Sequence, residues 1–290
     1  MTEKKMKRGF KESRFAVFWN RLKRNRNAMI GLYVFLLLVV LIIIVPIVSP
    51  YDYAKYDIMS ISQKPSLKHP FGTDDLGRDL LTRCFYGGRY SLSISLAAVL
   101  FSTSVGTVIG AITGFFGGKI DAVIMRMLDV IQAIPSTLLT IIISAALGVG
   151  IDKTIIAISV GSIPGTVRLL RGSVMRTREE QYLEAAEAIG CSTTRRIWKY
   201  VVPNSWSPLI VSSTMGVART ILQLAALSYI GLGVQPPTPE WGAMLSGARG
   251  YLRDYPHMLI FPGLFIAISV LCLNMFGDGL RDALDPKLKD

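Results

Sequence analysis

The chain is predicted to be an all-α membrane protein with six membrane-spanning helices. Three observations carry that expectation. Only 18% of the residues are charged and 51% are hydrophobic, whereas soluble domains carry about a quarter charged residues. The charges are gathered into a few segments, with long charge-free stretches between them. Those stretches reach the roughly 20 residues that a helix needs to cross about 30 Å of hydrocarbon. Lipid offers no partner to a backbone N–H or C=O, so such a stretch must close its hydrogen bonds internally, as a helix does.

The elements follow in chain order. Residues 1–28 form a basic leader with ten Lys or Arg. Within it Phe15, Phe18, Trp19 and Leu22 share a helical face, and Lys11, Arg14, Arg21 and Lys23 surround it, which predicts a short helix on the inner membrane surface. Met29–Ser49 is the first span. It is too long for the apolar core of a signal peptide and no small-x-small site follows it, so it reads as an uncleaved anchor. Residues 50–87 form an outer segment, in which Asp74 and Asp75 are placed to open a helix carrying Leu76 and Leu80 on one face. Tyr90–Phe116 is the second span. Its Gly106, Gly110 and Gly114 lie four apart, a spacing that lets two helix backbones approach closely in lipid.

Val130–Leu147 is the third span, with Asp129 at its entrance and Arg126 one helical turn away as a local partner. Thr154–Leu170 is the fourth and weakest, holding Pro164 and Arg168. Pro135 and Pro164 each remove a backbone donor, so both spans are expected to kink. Pro208–Val234 is the fifth span, with Arg219 midway, and Met258–Gly277 is the sixth, before a tail at 278–290. A charge at mid-span costs a few kcal/mol or more unless it faces protein or water. Arg219 therefore belongs to a translocation path or a subunit contact, or it has a structural partner such as Asp129 or Gln223.

Orientation follows from the basic residues. With the N-terminus inside, segments 1–28, 117–127, 168–207 and 278–290 are cytoplasmic and hold 22 Lys and Arg. Segments 50–89, 149–153 and 235–256 are then outside and hold 9. That asymmetry places both termini in the cytoplasm. It also accounts for the net charge of +12, because the basic residues flank spans instead of forming one basic face, and the expected partner is membrane lipid, not nucleic acid.

Much chemistry is excluded. Cys84, Cys191 and Cys272 have no zinc or redox spacing, and His69 and His257 are far apart without local partners. No metal, no cofactor and no catalytic residue is therefore assigned. A nucleotide-binding P-loop would need G-x-x-x-x-G-K-[ST]. The nearest approach is Gly118-Lys119, where Thr113 stands in place of the first glycine and Ile120 in place of the hydroxyl residue, so ATP must bind another chain.

The cytoplasmic segment 168–207 decides the class. Residues 179–189 are mostly strong helix formers with acidic residues in the first turn, and Gly190 suits a C′ stop. Leu183, Ala186 and Ile189 can share one face, and the small Ala185 and Ala186 would let another surface come close. A larger side chain at Gly190 would add bulk beside Ala186. A second short helix is expected over Thr193 to Val201, ending at Pro203. The residues alone leave open whether another protein or the chain's own loop covers the first helix.

Glu184-Ala185-Ala186, with Gly190 and Pro203 at their spacings, resembles the EAA loop of ABC importer permeases, although Tyr200 and Val202 depart from its usual residues. His69-Pro-Phe-Gly-Thr-Asp-Asp-Leu-Gly-Arg-Asp79 followed by Gly88-Arg-Tyr-Ser-Leu92 is similar to the C-type dipeptide, oligopeptide and nickel permeases. So are Met125–Asp129 with Pro135, and the stretch Ala226–Leu245. The likeness runs from about residue 20 to residue 287. It implies a type I ABC importer permease fold with its core over residues 88–277. It implies a coupling helix at Glu184, Ala185, Ala186 and Gly190, with Pro203 closing the loop. The partners it implies are a homologous second permease, two cytoplasmic ATPase subunits and an extracytoplasmic substrate-binding protein, all at a bacterial or archaeal cell membrane. The cargo it implies is a dipeptide or oligopeptide, with nickel as the alternative. Arg219, Asp129 and Gln223 are the candidates for the path or interface. A secondary transporter would need an ionisable relay in the spans, where only Asp129 and Arg219 stand.

Overall fold

A computed structural model describes residues 14–284, and among these the regular structure is helical, apart from a single bridge between Thr73 and Asp79. Among the described residues five helices are long and apolar enough to cross a membrane, and six spans result if a bent pair of helices counts as one.

Helix α1 (Arg14–Arg24) turns Leu22, with the half-buried Phe18 and Trp19, onto Leu280 and Ala283 near the end of the chain. Its apolar face is thus covered by protein; Lys11 and the side chain of Phe15, expected on or beside that face, lie outside the described region. Asn25 starts α2 (Arg26–Val48), accepting from the Ala28 N–H at 3.1 Å and donating to Asp282 at 3.1 Å. This helix is the first span, as expected.

The second span begins ten residues before its predicted start. Helix α3 (Leu80–Phe116) has 37 residues, about 55 Å at 1.5 Å per residue, so it projects beyond the hydrocarbon. Its cap is Asp79, whose carboxylate accepts from the Thr82 N–H at 2.8 Å and from the Thr82 hydroxyl at 2.7 Å. The expected helix start at Asp74 and Asp75 is corrected. Asp74 instead closes a turn, accepting from the backbone N–H groups of Leu76 and Arg78 and from the guanidinium of Arg78 at 2.7 Å. Glycine at position 77, with φ of +75°, supports that turn, whose left-handed backbone favours glycine.

The third span departs most from expectation. Helix α4 (Gly118–Gln132) and helix α5 (Ser136–Leu147) meet at an 83° bend. The 12 residues of α5 reach about 18 Å, too short to cross alone. Pro135, with ψ of 132°, sits before α5 as its N-terminal flank, so the proline breaks the helix where a kink was expected. Much of the predicted loop 117–127 is helical in consequence.

Helix α6 (Ile151–Arg178) extends the weak fourth span at both ends and keeps Pro164 buried inside it. It packs along the glycine face of α3. A Cβ at Gly106 would lie 2.6 Å from the Thr166 methyl, one at Gly110 2.9 Å from the Val167 carbonyl oxygen, and one at Gly114 2.8 Å from that of Arg171. The glycine spacing marks a backbone-to-backbone contact, as expected.

Helix α7 (Gln181–Ala188) follows, then a helical stretch made of Thr193–Arg195, a π-helical turn over Arg196–Val201 and Val202–Asn204. Pro203 does not end this stretch as expected. It lies at the start of the short segment Val202–Asn204, a position where a missing N–H is tolerated. Helix α8 (Ser207–Tyr229) is the fifth span and stops short of the predicted Val234. Helix α9 (Trp241–Ala248) is short, and α10 (His257–Leu284) is the last span.

The largest apolar core joins α2, α3, α8, α9 and α10, with Leu38, Phe85, Ile221, Trp241 and Phe265 among its members. Fully buried Trp241 donates from its indole N–H to the Cys84 carbonyl at 2.8 Å. Beside it buried Glu240 accepts from Ser91 at 2.9 Å and from the Ala243 N–H at 2.9 Å. A buried carboxylate is tolerated because both of its oxygens are engaged.

Candidate functional site

Two regions hold the residues singled out from the sequence: a loop built on α7, and a hydroxyl-bearing cavity between α3, α5, α6 and α8.

In the loop, α7 ends as expected at a left-handed Gly190 with φ of +77°. The Gly190 N–H donates to the Glu187 carbonyl at 2.9 Å and the Cys191 N–H to the Ala186 carbonyl at 3.0 Å, a Schellman closure that satisfies two free carbonyls of the last turn. Leu183 and Ala186 are buried. Leu183 joins Leu170 and Val174 of α6, Ile197, Val201 and Leu209 in one apolar cluster. Ile189, expected on the same face, is 85% exposed. A helix of eight residues ends before Ile189 can complete that stripe. The chain's own loop therefore covers one face of α7, while Glu184, Ala185 and Gly190 are exposed on it, and so is Pro203 beyond.

Further ties hold this platform to the spans. Glu187 pairs with Arg196 at 2.6 Å, and the Arg196 guanidinium stacks over the Phe115 ring at 5.7 Å. Ser205 and Thr177 share a hydrogen bond at 3.0 Å, and Arg178 donates to the Phe115 carbonyl at 2.7 Å. The loop is thus fastened to the ends of α3 and α6. Burial, and then the Glu180 carboxylate, raise the Tyr182 phenol above its usual value, so Tyr182 presents a neutral hydroxyl.

The broken third span is tied to α6 by two ion pairs. Arg171 holds Asp121 through two nitrogens, and Arg168 holds Asp129. The expected local pair of Asp129 with Arg126 is corrected: the bend swings α4 so that Asp129 faces α6. Neither cross-helix pair was legible in the sequence, because the partners are 50 and 39 residues apart.

The cavity has a volume of about 850 Å³ and takes in hydroxyls from all four helices, among them Ser102, Ser136, Thr140, Ser162 and Ser213. Arg219 and Gln223 line it from α8. Gln223 donates to Thr140 at 2.7 Å. Arg219 is exposed to this space, and among the described residues it makes no ion pair and no side-chain hydrogen bond. Neither Asp129 nor Gln223 is its partner. The polar stripe Ser212, Gly216, Arg219 and Gln223 follows the helical repeat, and that signal was available in the sequence although only Arg219 and Gln223 had been picked out.

On the other face, the segment before α3 is folded. His69 meets Asp79 through Nδ1 at 2.9 Å, and Ser49 meets Thr82 at 2.6 Å. His69 therefore has a partner that sequence reasoning missed, lying ten residues away. Hydrogen bonds from Ser60 and from the Met59 N–H lower the Asp57 carboxyl below its usual value. No cluster of three metal-ligating side chains occurs among the described residues. All three cysteines are free.

Comparison with known proteins supplies the rest. The family described as "Binding-protein-dependent transport system inner membrane component" matches residues 106–290, and "N-terminal TM domain of oligopeptide transport permease C" matches residues 13–65. The dipeptide transport system permease protein DppC of Alkalihalophilus pseudofirmus is 43% identical over 93% of this chain and 89% of its own. The DppC of Haemophilus influenzae is 40% identical over 94% of each chain. The glutathione transport system permease protein GsiD of Escherichia coli O157:H7 is 42% identical over 94% of this chain and 90% of its own. Among solved structures, an inward-facing conformation of the MetNI methionine ABC transporter shares the fold, with a TM-score of 0.56, 18% identity, and coverage of 71% of this chain and 96% of that one.

Proposed function

This chain belongs to the family of binding-protein-dependent transport system inner membrane components, and we propose that it is the permease subunit through which an ATP-driven importer passes dipeptides or oligopeptides. The observation that carries this reading is the pairing of a polar cavity between helices with a cytoplasmic-type helix that is half covered and half bare. The peptide class rests on the dipeptide and glutathione permeases to which the chain is similar along nearly its whole length.

The work of the chain is movement, and no bond is made or broken on it. ATP is hydrolysed on two cytoplasmic ATPase subunits, one of which receives α7 at Glu184, Ala185 and Gly190. A second, homologous permease faces the cavity and completes the path. A substrate-binding protein delivers peptide at the face carrying residues 50–87, and both termini lie in the cytoplasm. Motion of α7 reaches the path because Leu183 is packed into α6 and Arg178 ties α6 to α3. The glycine contact makes α3 and α6 one stiff unit. Hydroxyls along that unit can hydrogen-bond peptide amides of any sequence, which suits cargo of varied side chains.

The test is reconstitution of this chain with its second permease, ATPases and binding protein in proteoliposomes. Uptake of labelled dipeptide should require ATP and the binding protein and should persist without an ion gradient. Uptake driven by an ion gradient in the absence of the ATPases would refute the reading. Uptake of nickel but of no peptide would replace the cargo.

A further inference from the structure

We infer that Arg219 is the counter-charge for a carboxylate of the cargo as it crosses the membrane, and that it sets the charge preference of the path. This rests on the reading of the chain as a peptide permease.

The cavity wall is unusual in its charge balance. Arg219 and Gln223 lie on the same face of α8, with Ser212, Ser213, Gly216 and Thr220 around them. No Asp or Glu lines the cavity. The nearby acids on α4 are engaged elsewhere, Asp121 with Arg171 and Asp129 with Arg168. Gln223 has its amide NH₂ on Thr140. Arg219 is therefore a cation at membrane depth with no anionic partner among the described residues, where an unpaired charge is expensive. Water in the cavity lowers that cost, but the side chain remains free to take an anion that enters.

The guanidinium offers a planar fork of donors that matches a carboxylate with two parallel hydrogen bonds. Every peptide with a free C-terminus carries such a group, whatever its sequence. A single positive charge on a wall that carries hydroxyls but no acid would favour the carboxylate end and disfavour added cationic side chains. The same wall is a poor place for a bare divalent cation, which would meet like charge and no carboxylate. An acidic residue of the second permease is the competing partner for Arg219. It predicts a different result, because a subunit contact does not sort cargo by charge.

The experiment uses the complete transporter in proteoliposomes with saturating binding protein. The probes are Ala-Ala, Ala-Glu and Ala-Lys, and the variants are Arg219→Gln and Arg219→Lys. Co-purification of the partner subunits is measured alongside. The wild type should carry Ala-Glu faster than Ala-Lys. Arg219→Gln should shrink that ratio by about five- to tenfold, the size of a modest coupling between two groups. Arg219→Lys should keep the preference at lower rates, since the charge remains and the fork is lost. An unchanged Ala-Glu to Ala-Lys ratio in Arg219→Gln, or loss of the partner subunits from both variants, would overturn the inference that Arg219 sets the charge preference. Those results leave the peptide reading standing. A wild-type transporter that carries none of the three would overturn the peptide reading, and the inference with it.

Discussion

Substituting Gly190 by Val should detach the loop helix from its work without removing the protein from the membrane. The backbone at Gly190 has φ of +77°. A β-branched residue is a strong outlier there, and holding it in place costs on the order of 1–3 kcal/mol. An added Cβ would meet no atom within 4 Å. The crowding against Ala186 expected from the sequence is therefore absent, and the effect is conformational alone. Against it stand the forces that hold α7 down. Burial of the Leu183 side chain contributes about 1.5–3 kcal/mol, and the Glu187–Arg196 pair, solvated on its Glu187 side, adds about 0.2–1 kcal/mol. The strain is thus comparable with the anchoring, and a shift of about 2 kcal/mol changes the docked population roughly thirtyfold. The apolar spans carry insertion and Gly190 lies outside them, so membrane abundance should stay near wild type while ATPase co-purification and peptide uptake fall together. Gly190→Asn is the control, because Asn enters the left-handed region more readily, and it should keep most of both. Wild-type uptake and co-purification in Gly190→Val would refute the reasoning, as would equal damage from Asn.

Three further outcomes are expected. A reporter active only outside the cytoplasm, fused after residue 290, should be silent; a strong outside signal would reverse the orientation drawn from the basic residues. Gly110→Leu should lower the thermal stability of the purified complex by about 1–3 kcal/mol or abolish its assembly, because its first added carbon lies 2.9 Å from a backbone oxygen of α6; unchanged stability would mean that the helix contact is not as drawn. Protease applied from outside the intact membrane should cut residues 73–83 slowly, since Thr73, Arg78, Asp79 and Arg83 are buried; rapid cleavage there would refute a folded cap.

The parts of the molecule legible in the sequence are those governed by local rules. Spans showed as charge-free runs, the α3–α6 contact as glycines four apart, and the end of α7 as a glycine after helix formers. Each depends on a periodicity or on one residue's backbone freedom. What was not legible depends on where distant segments meet. Pro135 was visible as a disturbance, but composition cannot say whether a proline bends a helix or ends it. Here the result is an 83° turn. Asp129 was assigned its nearest sequence neighbour, Arg126, and took Arg168 once that turn had carried it across. Asp74 looked like a helix-opening acid, yet Asp79 holds the cap and Asp74 is drawn to Arg78 and Arg83.

The same distinction explains why the loop's role needed both readings. The motif residues Glu184, Ala185 and Gly190 are exposed, so the fold of this chain gives them nothing to hold. Leu183 and Ala186, between and beside them, are buried. The exposed side chains of α7 include the long polar Gln181, Glu184 and Glu187 as well as small ones. Here Ala185 and Ala188 lie bare on the outer face, where a second surface can come within backbone reach. The inner face is fixed by Leu183 to α6 and by the Glu187–Arg196 pair to the following helical stretch. An apolar cluster joins α7 with α6, and Gly106, Gly110 and Gly114 bring α6 against α3. Both helices line the cavity in which Arg219 stands free. In the proposed reading, packed side chains and close backbone contacts connect the bare face of α7 with the cavity.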